Sequence, residues 1–192
     1  MNIVYKYRGG FLQGEKGYNM ILECASLFAD DIGTARPVSI LTHQKGKPYF
    51  DKSKIEFSLS HSENLWACLF SEVPCGMDIQ YKKGTGFHRI AKRIFSEREL
   101  SYFENAEDKR EAFYRIWTRT EAFAKCTGDG IFGKRPELVN GSGDFNSSVE
   151  WDGKTYYLYE FCPETGFAGA VCFQGQCSGI HIEEFQSKEG QY

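Results

Sequence analysis

The chain has 192 residues, which is enough for one large domain or for two small packed lobes with a sizeable core. Its charged fraction of 26% is ordinary for a soluble protein, and its formal net charge of -3 argues against a general nucleic-acid binder, which normally carries an excess of basic residues. No apolar run approaches the ~18 residues that a membrane span needs, and the first residues lack the apolar segment of a signal peptide, so we expect a cytoplasmic protein.

Sequence periodicity predicts a strand, a helix and further strands in the first part of the chain. Glycine and proline punctuate these elements and determine where they end. In order, they are a strand of alternating apolar residues within 1–16 that ends at Gly9 and Gly10, a helix over 18–28, a strand over 38–42, a turn over 44–49 that carries Lys45 and Lys47, and a strand over 65–70.

The second part of the chain is predicted to contain three helices followed by strands. Ser96 is a good N-cap for the second of these helices, and Glu99 three residues later completes a capping box. The other predicted elements are helices over 87–95 and 111–127, the latter ended by the glycines in 128–130, strands over 155–161 and 167–173, turns at 140–141 and 152–153, and a polar tail from Ser187.

The seven cysteines are odd in number and form no Cys-x-x-Cys pair, so the sequence indicates neither a disulfide framework nor a zinc site. We expect free thiols that are mostly buried. An aromatic fraction of 16% favours substantial β structure.

Residues 57–62 read Phe-Ser-Leu-Ser-His-Ser, so small hydroxyls and one imidazole alternate with apolar side chains. One interpretation is a half-buried strand with a polar outer face. The other is a phosphate-contacting segment, because hydroxyls donate hydrogen bonds and histidine can add a positive charge.

Residues 76–80 read Gly-Met-Asp-Ile-Gln, and as a strand they place Asp78 and Gln80 on one face and Met77 and Ile79 on the other. Oxygen ligands of this kind suit Mg²⁺, which is usually held by one or two carboxylates together with water and substrate phosphates. A surface strand with its polar residues outward is the alternative.

Trp117, Glu121 and Lys125 recur at four-residue spacing in the long predicted helix, so they lie on one stripe. Such a stripe offers an acid, a base and an aromatic anchor that fixes their position. A solvated Glu-to-Lys pair with a purely structural role is the simpler interpretation of the two charged residues.

The segments 57–62, 76–80 and 117–125 occur in a fixed order, with Phe-Ser-Glu-Arg-Glu at 95–99 between the last two. Together they resemble the 4'-phosphopantetheinyl transferases of the large, monomeric Sfp type. That family's pattern is Phe-Asn-x-Ser-His-Ser, Gly-[Ile/Val]-Asp-[Ile/Val]-Glu, Phe-[Ser/Thr]-x-x-Glu and Trp-[Ser/Thr]-x-Lys-Glu-[Ala/Ser]-x-x-Lys-x-x-Gly. The likeness covers residues 44–133.

The resemblance implies an α+β fold with a pseudo-twofold pair of similar lobes, each a small antiparallel sheet packed with helices. We expect an N-terminal lobe over 1–74 and a C-terminal lobe over 75–192, with coenzyme A bound in the cleft between them. The implied reaction is the attack of a carrier-protein serine on the pantetheine-side phosphate of coenzyme A, which releases 3',5'-ADP. Positioning and charge neutralisation dominate such phosphoryl transfers.

The resemblance also implies roles for individual residues. Asp78 and Glu121 would be Mg²⁺ ligands, with Gln80 or water beside them. Glu121 or a water on the metal would take the serine proton, and Lys125 would stabilise or protonate the leaving phosphate. The residues expected to contact the phosphoadenosine end of coenzyme A are Lys47, Ser60 and His61, with Lys16 or Arg8 as further candidates from the first lobe.

Two residues depart from the family pattern. Gln80 stands where many members have glutamate, so we expect weaker Mg²⁺ binding. Thr120 stands where the family usually has lysine, and the neighbouring Arg119 points about 100° away around the helix. These departures keep open a second possibility, a coenzyme A-binding protein of the same fold with impaired catalysis. A third is an unrelated metal-dependent phosphohydrolase or nucleotide-binding module.

A basic stretch in this acidic chain, residues 82–98, contains six Lys or Arg residues and one acid, Glu97. It is either a solvated face or a surface that steers an acidic partner. The resemblance suggests the acidic helix of an acyl, aryl or peptidyl carrier protein as that partner, with no nucleic acid, no membrane and a monomeric enzyme. The residues expected on this surface are Lys83, Arg89, Lys92, Arg93 and Phe95.

Overall fold

The structure is a computed structural model, and it describes residues 1–9, 14–44, 46–177 and 179–186. Its helices are α1 (Gly14–Asp31), α2 (Phe87–Ile94), α3 (Glu97–Asn105) and α4 (Lys109–Thr127). Its strands are β1 (Asn2–Arg8), β2 (Ile40–Thr42), β3 (Pro48–Phe50), β4 (Glu56–Ser62), β5 (Leu65–Ser71), β6 (Cys75–Tyr81), β7 (Ser148–Trp151), β8 (Lys154–Phe161), β9 (Phe167–Gln174) and β10 (His181–Glu184).

The strands form two four-stranded sheets and one short hairpin. The first sheet has the order β10-β1-β5-β4, the second has the order β6-β9-β8-β7, and β2 pairs with β3. All pairings are antiparallel except that of β10, which runs parallel to β1. The chain therefore returns to the first sheet after completing the second.

The two four-stranded sheets pack face to face, with one long helix on each outer side. All seven residues of β5 are buried, and alternate residues point to opposite faces of the first sheet. Its residues 66, 68 and 70 pack in one cluster with α1, whereas its residues 65, 67 and 69 pack in a second cluster with β6 and β9. On the far side of the second sheet, α4 packs against β9. The layers are thus α1, first sheet, second sheet and α4.

This arrangement confirms the predicted α+β fold with two similar halves, since each half is a four-stranded sheet with a helix of 18 or 19 residues on it. The parallel strand β10 is an addition to the predicted antiparallel sheets. Division of the chain at residue 74 remains a prediction, and β10 is the segment that crosses it.

The helices of the second half begin and end where their sequence signals lie. Ser96 caps α3, its side chain accepting from the backbone of Glu99 while the Glu99 side chain accepts from the backbone of Ser96. At the end of α4, Gly128 adopts a left-handed conformation with φ of 77°, which glycine reaches without steric cost. The capping box and the glycine stop are therefore both confirmed.

Three strands were not predicted from the sequence, because they are short or polar. β3 lies within the turn predicted over 44–49, and β7 and β10 have only four residues each. Helix α1 is longer than predicted at both ends. Gly10, Lys45 and the tail from Ser187 lie outside the described residues. Within the described ranges, no helix combines the length and apolar character that crossing a bilayer requires.

Candidate active site

A cavity of about 500 Å³ lies between the segment around β3, strand β4, the C-terminal half of α4 and the loop that follows it. Its volume falls within the range of about 300–1,000 Å³ that small-molecule sites usually occupy. The polar side chains on its wall include Lys47, Ser58, Glu121 and Lys125. Two cations and one carboxylate therefore face a space large enough for a sizeable ligand.

Asp78 is almost fully buried, at 2% exposure, and both of its carboxylate oxygens accept hydrogen bonds. Oδ1 accepts from the Ser60 hydroxyl at 2.7 Å and from Lys125 Nζ at 2.8 Å, and Oδ2 accepts from Gln80 Nε2 at 3.1 Å. A buried carboxylate needs such donors, because an unpaired charge in the interior is costly. The interpretation of 76–80 as a surface strand is thus wrong, since Asp78 faces inward.

Glu121 and Lys125 lie one turn apart on α4, and both are half-buried. Lys125 forms its ion pair with Asp78, so the structure does not support a simple Glu121–Lys125 surface pair. Burial raises the pKa of Glu121, the nearby charge of Asp78 raises it further, and Lys125 lowers it. The Glu121 carboxylate therefore binds a proton more tightly than the carboxylate of an exposed glutamate does.

The raised pKa of Glu121 predicts that this residue destabilises the metal-free protein at neutral pH. A carboxyl whose folded-state pKa lies above its unfolded value contributes most stability below the unfolded pKa, and that stability is lost as the pH rises through the folded pKa. We expect Glu121→Gln to raise the Tm at pH 7 by a few degrees, because solvent screens part of the penalty at this partly exposed site. Thermal unfolding in the presence of a metal chelator measures this change in Tm.

This gain in Tm should vanish near pH 3, below the ordinary glutamate pKa of about 4.3, because the carboxyl of Glu121 is then protonated in both the folded and the unfolded chain. Glu111→Gln is the matched control, since Glu111 lies on the same helix and pairs with Lys82 at 2.7 Å. An equal Tm change for Glu121→Gln at both pH values would contradict the assignment.

Lys47 is anchored beside the cavity by two backbone carbonyls. Its Nζ donates to the carbonyl of Cys75 at 3.1 Å and to that of Cys126 at 3.2 Å. The second of these carbonyls belongs to the last turn of α4, where a positive charge interacts favourably with the helix dipole. Lys47 thus links the start of β6, the end of α4 and the cavity wall.

His61 is exposed, and partial burial of its ring lowers its pKa, as does the charge of Lys125. Asp78 acts in the opposite direction, which indicates that all three groups lie in one electrostatic neighbourhood. Arg8 is paired with Glu164 and with Asn64, and Lys16 is exposed on α1.

Several sequence-based site residues lie elsewhere than expected. Ser60 is 4% exposed and bonds to Asp78, whereas its neighbour Ser58 is on the cavity wall. Gln80 donates its amide N–H to Asp78, so this amide interacts with the carboxylate directly. Phe95 is 9% exposed and stacks on Phe113 at 5.5 Å, so its expected role as a surface contact is wrong.

Lys83, Arg89, Lys92 and Arg93 are exposed, as expected for a binding surface. Lys83 pairs with Glu63 at 2.7 Å, and the other three lie on α2.

The two departures from the family pattern behave differently. Thr120 is fully buried, and its hydroxyl has no hydrogen-bond partner among the residues that the structure describes. Arg119 does not replace a cation in the cavity, because its guanidinium contacts Glu160, the carbonyl of Asn146 and the ring of Phe145. The cavity wall therefore contains one cation of α4, Lys125.

The donor set is consistent with a divalent cation. Within the described residues no group of three or more His, Cys, Asp or Glu side chains is arranged to hold a metal ion. Asp78 and Glu121 are close enough for the charge of Asp78 to raise the pKa of Glu121. A hard cation between them would relieve this repulsion, and Mg²⁺ commonly binds one or two carboxylates and takes its other ligands from water and substrate.

Comparison with known proteins bears on these residues. The model of the 4'-phosphopantetheinyl transferase superfamily matches residues 74–168, a range that contains Asp78, Glu121 and Lys125. The chain belongs to the 4'-phosphopantetheinyl transferase superfamily. The 4'-phosphopantetheinyl transferase HetI of Nostoc sp. is 32% identical over 139 residues, which cover 68% of this chain and 58% of HetI.

The 4'-phosphopantetheinyl transferase Sfp of Bacillus subtilis is 34% identical over 93 residues, which cover 47% of this chain and 41% of Sfp. Among solved structures, the holo-[acyl-carrier-protein] synthase of Thermotoga maritima has a TM-score of 0.39 and 21% identity, over 55% of this chain and 64% of that one. The chain thus spans about half the length of the curated 4'-phosphopantetheinyl transferases it matches.

The 4'-phosphopantetheinyl transferase match begins at residue 74, so it does not include the serines of β4. Their contacts to β6 are visible only in three dimensions. The sequence signals for them were the regular spacing of serines at 58, 60 and 62 and the resemblance of residues 57–62 to the family's Phe-Asn-x-Ser-His-Ser motif.

Proposed function

We propose that this protein transfers the 4'-phosphopantetheine arm of coenzyme A to a serine hydroxyl of an acyl or peptidyl carrier protein, with Mg²⁺, and releases 3',5'-ADP. The observation that carries this proposal is that Glu121 and Lys125 of α4 line one cavity, while Asp78 of β6 is buried beside them and accepts from Lys125 Nζ at 2.8 Å. Two carboxylates that can hold a divalent cation and an ammonium group that can neutralise phosphate charge suit a site that cleaves a diphosphate.

In the proposed reaction, the carrier serine Oγ forms a bond to the pantetheine-side phosphorus, and the bond from that phosphorus to the bridging diphosphate oxygen breaks. Glu121 takes the proton of the attacking hydroxyl. Its carboxylate lies on the cavity wall, so it is placed to accept a proton from a hydroxyl that enters the cavity. The transfer leaves the phosphopantetheine arm on the carrier.

Lys125 stabilises the negative charge that develops on the leaving 5'-phosphate, or donates a proton to it. Its Nζ already lies on the cavity wall and is held by Asp78 Oδ1 at 2.8 Å. In the reaction this ammonium group turns from Asp78 toward the leaving phosphate, where it faces the developing charge. Lys47, with its ammonium group on the same wall, is the candidate for the phosphoadenosine end.

Asp78 and Glu121 would hold Mg²⁺, which supplies charge neutralisation on the diphosphate when it is bound. Gln80 replaces a carboxylate of the family pattern and donates its N–H to Asp78, so this chain offers the cation one negative charge fewer. Weaker Mg²⁺ binding is the expected consequence.

The test is a transfer assay with coenzyme A, Mg²⁺ and a panel of apo carrier proteins, in which mass spectrometry detects the added mass of one phosphopantetheine group. Apo carriers whose acceptor serine is replaced by alanine are the control. Modification of the serine-containing carriers alone would support the proposal. Binding of coenzyme A without modification of any carrier would favour the impaired protein of the same fold.

The carrier surface is proposed to be the exposed face of α2, where Arg89, Lys92 and Arg93 would contact an acidic helix. Since Phe95 is buried, the apolar contact is assigned to Ile90, which is 39% exposed, and to Phe132, which is 72% exposed and lies under the guanidinium of Arg93 at 5.3 Å.

Reversing the charges of Arg89 and Arg93 to glutamate should raise the KM for the carrier about tenfold and leave coenzyme A binding unchanged, because each exposed ion pair contributes roughly 0.2–1 kcal/mol and reversal replaces attraction by repulsion. Steady-state kinetics at two salt concentrations measures this, and the effect should shrink at high salt. Lys154→Glu, on the β7–β8 hairpin, is the control. An unchanged KM would mean that the basic face of α2 is only solvated.

A further inference from the structure

A row of three serines joins the two sheets. Alternate residues of β4 point toward β6, and the Ser58, Ser60 and Ser62 hydroxyl oxygens accept hydrogen bonds from the backbone N–H groups of Met77 at 2.9 Å, Ile79 at 3.2 Å and Tyr81 at 2.9 Å. β4 and β6 belong to different sheets, so these contacts replace the backbone ladder that would otherwise satisfy β6 on this side. We call these three residues the serine row.

The middle member of the serine row differs from the other two. The Ser60 hydroxyl accepts from Ile79 and also donates its one hydrogen to Asp78 Oδ1 at 2.7 Å. A serine hydroxyl has a single donor, so this hydrogen is not available to a ligand.

We propose that Ser60 is a positioning residue whose hydroxyl fixes the Asp78 carboxylate for metal binding. This inference rests on the proposed function, in which Asp78 holds the divalent cation. The backbone of β6 fixes the hydroxyl oxygen, and the hydroxyl hydrogen then fixes the carboxylate of the residue before Ile79.

Lys125 and Gln80 also donate to Asp78, and a comparison with them shows what the Ser60 hydrogen bond contributes. Lys125 is half-buried on the cavity wall, and in the proposed reaction its ammonium group turns toward the leaving phosphate. Asp78 then keeps Ser60 on Oδ1 and Gln80 on Oδ2. Ser60 therefore holds the Asp78 carboxylate in one orientation when Lys125 is no longer its ion-pair partner.

The experiment compares Ser60→Ala with Ser62→Ala. Both variants lose a hydrogen bond to β6, but only Ser60→Ala loses the donor to Asp78. Calorimetric titration with Mn²⁺ should give a Kd weakened about 10- to 100-fold for Ser60→Ala, which is the range seen when a residue that orients a metal ligand is removed. Ser62→Ala should bind Mn²⁺ as the unchanged protein does, and both should show a lower Tm.

Coenzyme A affinity, measured in a chelator, should be the same for Ser60→Ala and the unchanged protein. Ser60→Thr keeps the hydroxyl and should restore Mn²⁺ binding. Ser60→Cys, with a weak S–H donor of similar shape, serves for the titration if Ser60→Ala does not fold.

Three results would overturn the inference: equal Mn²⁺ affinity in Ser60→Ala and the unchanged protein, a loss confined to coenzyme A affinity, or no Mn²⁺ binding by the unchanged protein. A different result bears on the proposed function alone. If Mn²⁺ binding depends on Ser60 but no carrier is modified, the transferase proposal fails and the positioning role of Ser60 stands.

Discussion

Replacing either Asp78 or Glu121 by alanine is expected to lower kcat/KM for carrier modification at least a hundredfold, which corresponds to roughly 2.7 kcal/mol of transition-state stabilisation. The physical reason is that Asp78 lies near enough to Glu121 for its charge to raise the pKa of Glu121, and each removal deletes one of these two proposed ligands of the divalent cation. Glu121→Ala also removes the proposed base. Initial rates over a range of Mg²⁺ concentrations measure both losses.

Asp78→Ala and Glu121→Ala should respond differently to excess Mg²⁺, because within the described part of the chain only Asp78→Ala also removes hydrogen bonds of the site. Loss of Asp78 deprives Lys125 and Ser60 of their shared acceptor, so Asp78→Ala should also disturb the cavity wall. Glu111→Ala is the control, because it removes a carboxylate of α4 that pairs with Lys82 outside the cavity. Losses of tenfold or less at both Asp78 and Glu121 would exclude them as metal ligands.

Replacing Gly76 by alanine is expected to be strongly destabilising. A Cβ atom at this position would lie 2.0 Å from the carbonyl oxygen of Ala122 and 2.3 Å from the backbone nitrogen of Cys126. Both are backbone atoms of α4, so no side-chain rotation can relieve the clash. We expect a loss of about 3 kcal/mol or more in the free energy of unfolding, at or above the upper end of the usual range for overpacked cores. Urea denaturation measures it.

Gly141→Ala is the matched control, because its Cβ would meet no atom within 4 Å. A similar free energy of unfolding for the two variants would contradict the close packing of α4 on β6. If Gly76→Ala folds, it should also bind Mn²⁺ more weakly, because α4 carries Glu121 and β6 carries Asp78, and the clash forces the two apart.

The parts of the fold that could be predicted are those whose signals are local. The capping box at Ser96, the glycine after α4 and the alternation in β6 each specify their structure within a few residues. The strand β10 could not be predicted, because its pairing with β1 depends on residues at the other end of the chain and its own sequence, His-Ile-Glu-Glu, is mostly polar.

The candidate site follows the same division. Its carboxylates and Lys125 were recognisable from motif order, but the partner of Lys125 was not, because helical spacing favoured Glu121 and tertiary packing provides Asp78. Phe95 was misjudged because the chain turns at the end of α2 and directs this ring into the core beside Phe103 and Phe113. Local spacing cannot describe such a turn.

The parallel pairing of β10 with β1 has a consequence for synthesis of the chain. Asn2 Nδ2 donates to the carbonyl of Gly179 at 3.0 Å, a contact between residues 177 positions apart. Because the ribosome synthesises the N-terminal strand first, β1 has one unpaired edge until almost all of the described chain has emerged. An unpaired edge can recruit strands of other molecules. Nascent or truncated chains that lack β10 are therefore expected to need chaperone protection. The first sheet is completed only at a late step of folding, when β10 pairs with β1.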